Sequence, residues 1–217
     1  MSEKVVVVVA GGREPPHQKS LHSVPAGTPV IAADSGLERA RELGLEVTVA
    51  VGDFDSASSE AVALAEAAGT RIERHPAEKD FTDLELALGV ALALRPDRVV
   101  VLAGLGDRLD HLFSALLLLS SQKYAGVELD AHVGSARVHV IRGERKLTGR
   151  PGELLSLFGL HGPAEGVRTE GLAYPLEGET LEPGSSRGVS NVFAAISATI
   201  SLDRGVLLAI RPGAERA

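Results

Sequence analysis

The first 134 residues alternate between short apolar runs and segments with a helical period. The apolar runs read as strands, and they are Val5–Ala10, Pro29–Asp34, Val47–Val51, Arg71–His75 and Arg98–Ala103. Helices are predicted between them at Ser35–Leu43, Ser58–Ala68, Thr82–Leu94 and Asp107–Gln122. Runs that are apolar throughout are typical of parallel strands covered by helices on both faces. The pattern therefore predicts an N-terminal α/β domain on an open, Rossmann-like parallel sheet. Ser35 with Glu38, three residues on, further predicts a capping box at the start of the first helix.

The pattern changes after residue 134, where helical periodicity is largely lost and short strands recur between glycines. The predicted strands are Arg137–Arg142, Glu153–Phe158, Gly166–Thr169, Val192–Leu202 and Gly205–Ile210. Propensity alone permits a helix at Ala194–Ser201, but its β-branched end and the Asp203-Arg204-Gly205 turn favour a hairpin. We therefore predict that residues 135–217 form a separate all-β domain, a small sandwich.

Composition narrows the classes of protein that fit this pattern. The chain has 217 residues, a net charge of −7 and no cysteine. Without cysteine there are no disulfides and no cysteine-ligated zinc sites, which is compatible with the cytoplasmic location that we expect. The acidic balance and the lack of a basic run argue against nucleic-acid binding. The apolar runs are too short to span a membrane, so no membrane partner is expected.

The segment Gly52-Asp53-Phe54-Asp55-Ser56 directly follows a predicted strand. Aspartates spaced i and i+2 point the same way in extended backbone. Two such carboxylates suit Mg²⁺, which prefers oxygen ligands and commonly bridges to substrate phosphates. The alternative is that Asp55 or Ser56 only caps the next helix, but capping does not require Asp53. We therefore predict a metal site here, and Asp34, at the end of a neighbouring strand, is expected at the same edge of the sheet.

A second acidic segment, Lys79-Asp80-Phe81-Thr82-Asp83-Leu84-Glu85, opens a predicted helix. Thr82 with Glu85 has the form of a capping box, and acidic residues in a first turn suit the helix dipole. That structural explanation leaves Lys79 and Asp80 unexplained. Because a helix N-terminus also favours anions, we predict a functional role for Asp83.

Two glycine-containing turns follow strands and are candidate phosphate loops. One is Gly104-Leu105-Gly106-Asp107-Arg108-Leu109-Asp110-His111, and the other is Ala10-Gly11-Gly12-Arg13. Neither is a Walker A loop, and each is weak support alone. Arg108 can grip phosphate oxygens in a bidentate manner, whereas Asp110 and His111 also fit as ordinary residues of a first helical turn. A polar loop, Gly184 to Asn191, holds the only asparagine and also fits a plain hairpin turn.

In this order and spacing the segments resemble the thiamine pyrophosphokinase family, and the resemblance covers nearly the whole chain. The motifs that carry it are Asp34-Ser35-Gly36, the two acidic segments, Gly104 to His111, Gly171-Leu172-Ala173-Tyr174-Pro175-Leu176 and Gly188-Val189-Ser190-Asn191. The resemblance implies transfer of a pyrophosphoryl group from ATP to the hydroxyl of thiamine, giving thiamine diphosphate and AMP. It also implies Mg²⁺, and a homodimer in which the partner's β domain completes the active site.

Carried over motif by motif, the resemblance assigns roles within residues 1–134 (ATP and Mg²⁺) and 135–217 (thiamine). The acidic, catalytic centre is Asp53, Asp55, Asp83 and Asp110, of which the first three hold the metal. The nucleotide side is Gly11, Gly12, Asp34, Thr82, Arg108 and His111. The thiamine side is Tyr174, Ser190 and Asn191.

The chain departs from the family pattern at three places. Ser35 and Asp107 stand where the family commonly has glycine, and there is no tryptophan to stack on thiamine. Tyr174 or Phe193 is expected to replace that ring. The alternatives are a pyrophosphokinase for another hydroxyalkyl heterocycle such as a hydroxymethylpterin, a metal-dependent phosphohydrolase, and a non-catalytic sensor.

Overall fold

The computed structural model describes residues 3–12, 24–104 and 108–213. The chain divides into two compact units, Met1–Ala115 with Val127–Gly134, and Leu116–Gly126 with Ser135–Ala217. Among the helices of the described residues, none is long and apolar enough to cross a membrane.

The first unit is built on six parallel strands, five of which the apolar runs predict. They are β1 Val5–Ala10, β2 Val30–Ala33, β3 Val49–Gly52, β4 Arg71–Arg74, β5 Arg98–Ala103 and β6 Glu128–Val133. Their order is β6-β5-β1-β2-β3-β4, and every neighbouring pair is parallel. Strand β6 was missed because Asp130 interrupts its apolar pattern; Asp130 is 2% exposed and accepts a 2.9 Å hydrogen bond from Arg98 Nε.

Four α-helices alternate with these strands along the described part of the chain, and they are α1 Gly36–Glu42, α2 Ser59–Ala67, α3 Asp83–Ala93 and α4 Leu109–Leu119. The predicted capping box of α1 is wrong, because the Ser35 side chain makes no capping bond and Glu38 instead accepts hydrogen bonds from Ser58. Ser58 is the N-cap of α2, so Glu38 ties the first two helices together. In α3 the Thr82 side chain does cap, since it accepts a bond from the Glu85 N–H at 3.3 Å.

The second unit contains two antiparallel sheets, which confirms the predicted sandwich. One sheet has the order β12-β9-β14-β7, with β7 Ala136–Ile141, β9 Leu154–Gly159, β12 Asn191–Val192 and β14 Leu207–Arg211. The other has the order β11-β10-β13-β8, with β8 Glu144–Thr148, β10 Ala164–Glu170, β11 Glu177–Leu181 and β13 Ser197–Ser201. Both sheets contribute to one apolar core, for example Leu157 and Leu207 from the first and Val167 and Ile200 from the second.

The strand at the disputed segment Ala194–Ser201 is β13, so the helix alternative is wrong. The expected hairpin with β14 is wrong too, because β13 pairs with β8 and β10 whereas β14 pairs with β7 and β9. The Asp203-Arg204-Gly205 turn therefore passes the chain from one sheet to the other. Strands β8 and β11 were missed since they are charged, and both lie at the edges of their sheet, where charge discourages pairing between molecules.

A buried ion pair joins β14, β7 and the loop before β9 in the second unit. Arg211 is 3% exposed, and its Nε donates to Glu153 Oε1 at 2.8 Å. Arg137 donates to the same oxygen at 3.0 Å, while the guanidinium of Arg211 stacks 5.2 Å from the centroid of the Phe193 ring. Burial raises the pKa of Glu153, but the hydrogen bond and charge of Arg211, with that of Arg137, outweigh it and lower the pKa overall.

We expect Glu153→Gln to lower the free energy of unfolding by about 2–4 kcal/mol at neutral pH, because it leaves a buried guanidinium unpaired. A carboxyl group with a lowered folded-state pKa stabilises the fold above its unfolded pKa of about 4.5 and loses that effect as the pH falls. The difference in the free energy of unfolding between wild type and variant, measured by urea unfolding, should therefore become smaller below about pH 4. A gap that is constant from pH 7 to pH 3 would contradict the assignment.

Candidate active site

The carboxyl ends of four neighbouring strands bring the predicted polar residues of the first unit to one edge of the sheet. Gly11 and Gly12 follow β1, Asp34 follows β2, Asp53 follows β3 and Gly104 follows β5. Strand β1 lies between β2 and β5, so the strand order reverses there. Open parallel sheets bind ligands beyond their carboxyl ends at such a reversal.

The turns after β1 and β5 are packed against each other through glycine backbone. The N–H of Gly104 donates to the Gly11 carbonyl at 3.1 Å. Gly12 has φ of 132°, and a Cβ there would lie 2.5 Å from the Gly104 carbonyl carbon. A side chain is thus excluded at Gly12, because the two turns lie in direct backbone contact. Of the two predicted phosphate loops, Arg13 and residues 105–107 lie outside the described residues.

Three carboxylates form one group that is able to hold a metal ion. One oxygen from each of Asp34, Asp53 and Asp55 lies within 4.8 Å of the other two. The backbone between the last two is not extended as expected: Phe54 has φ of 60°, and the Asp55 N–H donates to Asp53 Oδ1 at 3.1 Å. A tight turn, anchored by the buried Phe54 ring, therefore brings these carboxylates together.

Asp34 is the most buried of the three carboxylates. It is 8% exposed, and its Oδ1 has no hydrogen-bond partner in the part of the chain that the structure describes. Burial, chiefly, raises its pKa; hydrogen bonds from Ser35 and Ser56 oppose this, and the negative charges of Asp83 and Asp55 add to it. A buried carboxylate oxygen without a partner, next to two more carboxylates, fits a bound cation.

Within the part of the chain that the structure describes, Lys79 supplies a cation to this group. Its Nζ lies 2.6 Å from Asp53 Oδ2 and 3.0 Å from Asp83 Oδ1. The hydrogen bond from Lys79 is the main reason that the pKa of Asp53 is lowered. Burial lowers the pKa of Lys79, but its bonds to the two carboxylates outweigh this and raise the pKa overall.

The lack of a side chain at Gly52 allows Asp34 and Asp83 to lie close to the end of β3. A Cβ at Gly52 would lie 3.2 Å from Asp34 Cα and 3.2 Å from Asp83 Oδ1. The end of β2, the end of β3 and the start of α3 therefore converge at a position where only glycine avoids crowding. Asp83 is thus adjacent to the three-carboxylate group, although it pairs with Lys79.

The predicted residues at the start of α4 form a pair of their own. Arg108 Nε donates to Asp110 Oδ1 at 2.9 Å, and Arg108 Nη2 donates to Asp110 Oδ2 at 2.6 Å. This bond holds the pKa of Asp110 well below its usual range. Both side chains are about two-thirds exposed, and His111 is exposed as well. The guanidinium is therefore open to solvent, and a phosphate has to compete with Asp110 for it.

The predicted thiamine-side residues of the second unit also lie together. Asn191 Nδ2 donates to the Tyr174 carbonyl at 2.6 Å, and Asn191 Oδ1 accepts from the Tyr174 N–H at 3.1 Å and from the Val192 N–H at 2.8 Å. Asn191 is 3% exposed, so its amide holds the backbone of Tyr174 in place. Ser190 is exposed, has φ of 57°, and donates its backbone N–H to Ser156 Oγ.

The two aromatic residues that were expected to replace tryptophan differ in their exposure to solvent. Phe193 is 1% exposed, lies under Arg211 and packs so tightly that a Cβ at Gly149 would be 2.5 Å from its ring. Tyr174 is 61% exposed. Of the two rings, only that of Tyr174 is open to a ligand.

Lys79 is the residue of this site that the sequence left without a role. The available signal was its position four residues before Asp83, at the start of a helix, where opposite charges face each other. Its contact with Asp53, 26 residues away, depends on how β3 and α3 come together and has no signal in the local sequence.

Comparison with known proteins gives matches along most of the chain. The family model described as the thiamin pyrophosphokinase catalytic domain matches residues 24–129, and that described as the thiamin pyrophosphokinase vitamin B1 binding domain matches residues 138–207. A curated relative, the thiamine pyrophosphokinase of Bacillus subtilis, is 27% identical over 219 residues, covering 96% of this chain and 98% of the relative.

Two crystal structures illustrate the structural likeness. The thiamin pyrophosphokinase of Geobacillus thermodenitrificans superposes with a TM-score of 0.81 at 27% identity, covering 97% of this chain and 98% of that one. The thiamine pyrophosphokinase of Bacillus subtilis superposes with a TM-score of 0.85 at 24% identity, covering 97% of this chain and 100% of that one. At the lower identity the likeness is one of fold.

Two buried aspartates should respond in opposite ways to loss of charge. We expect Asp34→Asn to raise the thermal unfolding midpoint in a chelator, because the carboxylate of Asp34 is buried among like charges. Asp130→Asn, the control, should lower the midpoint because it breaks the ion pair with Arg98.

Addition of Mg²⁺ should then stabilise wild type and the Asp130 variant more than it stabilises Asp34→Asn. Differential scanning calorimetry with and without Mg²⁺ measures both effects. Equal destabilisation by the two substitutions in a chelator, or equal stabilisation of all three proteins by Mg²⁺, would contradict this account of the carboxylate group.

Proposed function

Because the chain belongs to the thiamin pyrophosphokinase family, we propose that it transfers the pyrophosphoryl group of ATP to the hydroxyl of thiamine. The products are thiamine diphosphate and AMP. The observation that carries the proposal is the group of Asp34, Asp53 and Asp55 at the carboxyl edge of the sheet, the edge at which the glycine turns after β1 and β5 also lie. We further propose a cytoplasmic location.

The nucleotide contacts in this proposal come from the first unit. The backbone of Gly12 and Gly104 lies at the strand-order reversal, where open parallel sheets bind ligands. Thr82 is the N-cap of α3, whose first free N–H groups favour an anion. Arg108 presents an exposed guanidinium that suits bidentate contact with phosphate once it leaves Asp110.

A Mg²⁺ ion fits the carboxylates of Asp34, Asp53 and Asp55, with Asp83 adjacent. When bound, such an ion neutralises phosphate charge and makes the phosphorus a better electrophile. The chain's own contribution is to fix these oxygens in advance: the Phe54 turn sets Asp53 and Asp55, and burial sets Asp34.

The reaction requires in-line attack of the thiamine hydroxyl oxygen on the β-phosphorus. A new O–P bond forms as the bond from the bridging oxygen to the β-phosphorus breaks, and AMP leaves with that oxygen. Reactions of this type depend chiefly on positioning and on charge neutralisation. The hydroxyl proton passes to a carboxylate, and Asp55 and Asp110 are the two candidates. A cation stabilises the ionised form of each of them, Arg108 that of Asp110 and the metal that of Asp55.

The thiamine contacts in this proposal come from the second unit of a partner subunit. Tyr174 offers an exposed aromatic face, which attracts a cationic ring such as thiazolium, and Ser190, which precedes Asn191, is exposed as well. Asn191 serves this surface indirectly, by holding the Tyr174 backbone. Exposed apolar side chains of the same unit, Leu154, Val189 and Ile196, are consistent with the homodimer that we propose.

The alternatives predict different products. A hydroxymethylpterin pyrophosphokinase gives AMP with the pterin but not with thiamine, and a phosphohydrolase releases phosphate with no acceptor. The match of the vitamin B1 binding domain to residues 138–207 favours thiamine over both.

We expect AMP formation from ATP and Mg²⁺ to depend on added thiamine. Asp53→Asn should reduce the rate by about 10²-fold or more, since it removes a charge that positions the phosphates, without loss of folded structure. Asp203→Asn, an exposed residue of the second unit, is the control and should retain full activity. Chromatographic measurement of AMP and thiamine diphosphate, with circular dichroism for folding, checks the result; AMP release that is independent of thiamine would contradict the proposal.

If each active site is formed by two subunits, as we propose, two variants with different defects should complement each other. Tyr174→Ala should raise the KM for thiamine about tenfold or more with a smaller change in kcat, because it removes ring contact made in the ground state.

Subunits of Asp53→Asn and Tyr174→Ala, mixed and allowed to exchange at low thiamine concentration, should recover about a quarter of wild-type activity. The reason is that half of the dimers are mixed and each of these has one intact site. No recovery despite subunit exchange, shown by mass spectrometry of differently tagged chains, would contradict an active site made from two subunits.

A further inference from the structure

The position of Lys79 has a consequence for how the acidic group binds metal ions. We propose that Lys79 is the resident cation of the acidic group: it balances Asp53 and Asp83 in the free protein and keeps the group from binding a divalent ion tightly until the ion arrives with the nucleotide phosphates. This inference rests on the proposed function, which supplies the nucleotide and the metal.

The ammonium group of Lys79 is held from two separate elements. Asp53 follows β3, and Asp83 is the first residue of α3, so a single charge joins the strand end to the helix start. The Lys79 side chain is 12% exposed and that of Asp53 is 13% exposed. Attraction between such partly buried charges is only weakly screened by water or salt, so this ion pair is a fixed part of the site.

The charges around Lys79 do not balance. The four carboxylates of Asp34, Asp53, Asp55 and Asp83 lie together, and among residues 3–12, 24–104 and 108–213 we find one ammonium group paired with them, that of Lys79. The group therefore attracts a further cation. However, an ion that binds to Asp34, Asp53 and Asp55 has to share Asp53 with Lys79, and it is repelled by the ammonium at short range.

The nucleotide removes this conflict because it brings negative charge of its own. Phosphate oxygens can complete the ligand shell of the ion, and they also attract Lys79. The free protein should therefore have a low affinity for a lone divalent ion and a much higher affinity for the ion with its nucleotide. Lys79 acts through the carboxylates that it holds, so it is a positioning residue.

The direct test is a titration with Mn²⁺ alone, which reports the free ion by electron paramagnetic resonance and needs no turnover. Lys79→Met removes the charge and keeps most of the side-chain length. Lys146→Met, at an exposed position of β8, is the matched control. We expect Mn²⁺ to bind Lys79→Met about tenfold more tightly than wild type, because the repelling charge is gone, and to bind Lys146→Met as it binds wild type.

Mn²⁺ affinity of Lys79→Met equal to or weaker than that of wild type would overturn the proposal. Lys79→Arg distinguishes charge from shape: it keeps the positive charge and should retain an affinity close to that of wild type. Tightening in the arginine variant equal to that in Lys79→Met would also overturn the proposal.

Thermal unfolding gives an independent readout. In a chelator, Lys79→Met should unfold at a lower temperature than wild type, because four carboxylates are left without their cation, and Mn²⁺ should raise its midpoint more than it raises that of wild type. A variant that folds only with Mn²⁺ supports the proposal as well. A variant whose midpoint matches wild type in a chelator contradicts it.

Wild-type protein alone keeps the proposal testable if Lys79→Met does not fold in any condition. The complex of Mn²⁺ with a non-hydrolysable ATP analogue should bind wild type at least about tenfold more tightly than Mn²⁺ alone does, after correction for the Mn²⁺ that the analogue binds without protein. Tight binding of Mn²⁺ without nucleotide would overturn the proposal. Thiamine-dependent AMP formation by the same preparation is measured separately, so failure of the Lys79 inference is distinguishable from failure of the proposed function.

Discussion

Repulsion among carboxylates at one edge of a parallel sheet is the constraint on which the arrangement of this protein depends. Asp34, Asp53, Asp55 and Asp83 come from three different connections, and each would be less costly in open solvent. The structure keeps them together by local devices: a buried Phe54 with positive φ, a glycine at position 52, and the ammonium of Lys79 between two of them. Lys79 balances only part of this negative charge. A concentration of carboxylates of this kind is typical of sites that receive a cation with their substrate.

The sequence predicted the parallel sheet closely because its strands are buried on both faces and are apolar throughout. Val5–Ala10 and Arg98–Ala103 were predicted to the residue. Strand β6 was missed because its buried Asp130 is stabilised by Arg98, a partner 32 residues away. The edge strands β8 and β11 were missed because an edge requires charge rather than an apolar pattern.

At the candidate site, the residue types could be predicted but not their geometry. Asp34 and Asp53 were predicted to lie at one edge of the sheet because each follows the carboxyl end of a parallel strand. The turn at Phe54 replaced the expected extended backbone, and Glu38 capped a different helix from the expected one, because both depend on packing between elements. The roles of Asn191 and Phe193 became clear only from burial: the first holds the Tyr174 backbone, and the second packs under Arg211.

The central claim is that the carboxylates at this edge of the sheet form the metal and nucleotide site. The most direct test is anomalous X-ray scattering from a crystal of the protein with Mn²⁺ and a non-hydrolysable ATP analogue. We predict an anomalous peak within bonding distance of Asp53 and Asp55, with the analogue's phosphates beside it at the turns after β1 and β5. A peak elsewhere on the chain, or an analogue bound away from this edge, would contradict the account.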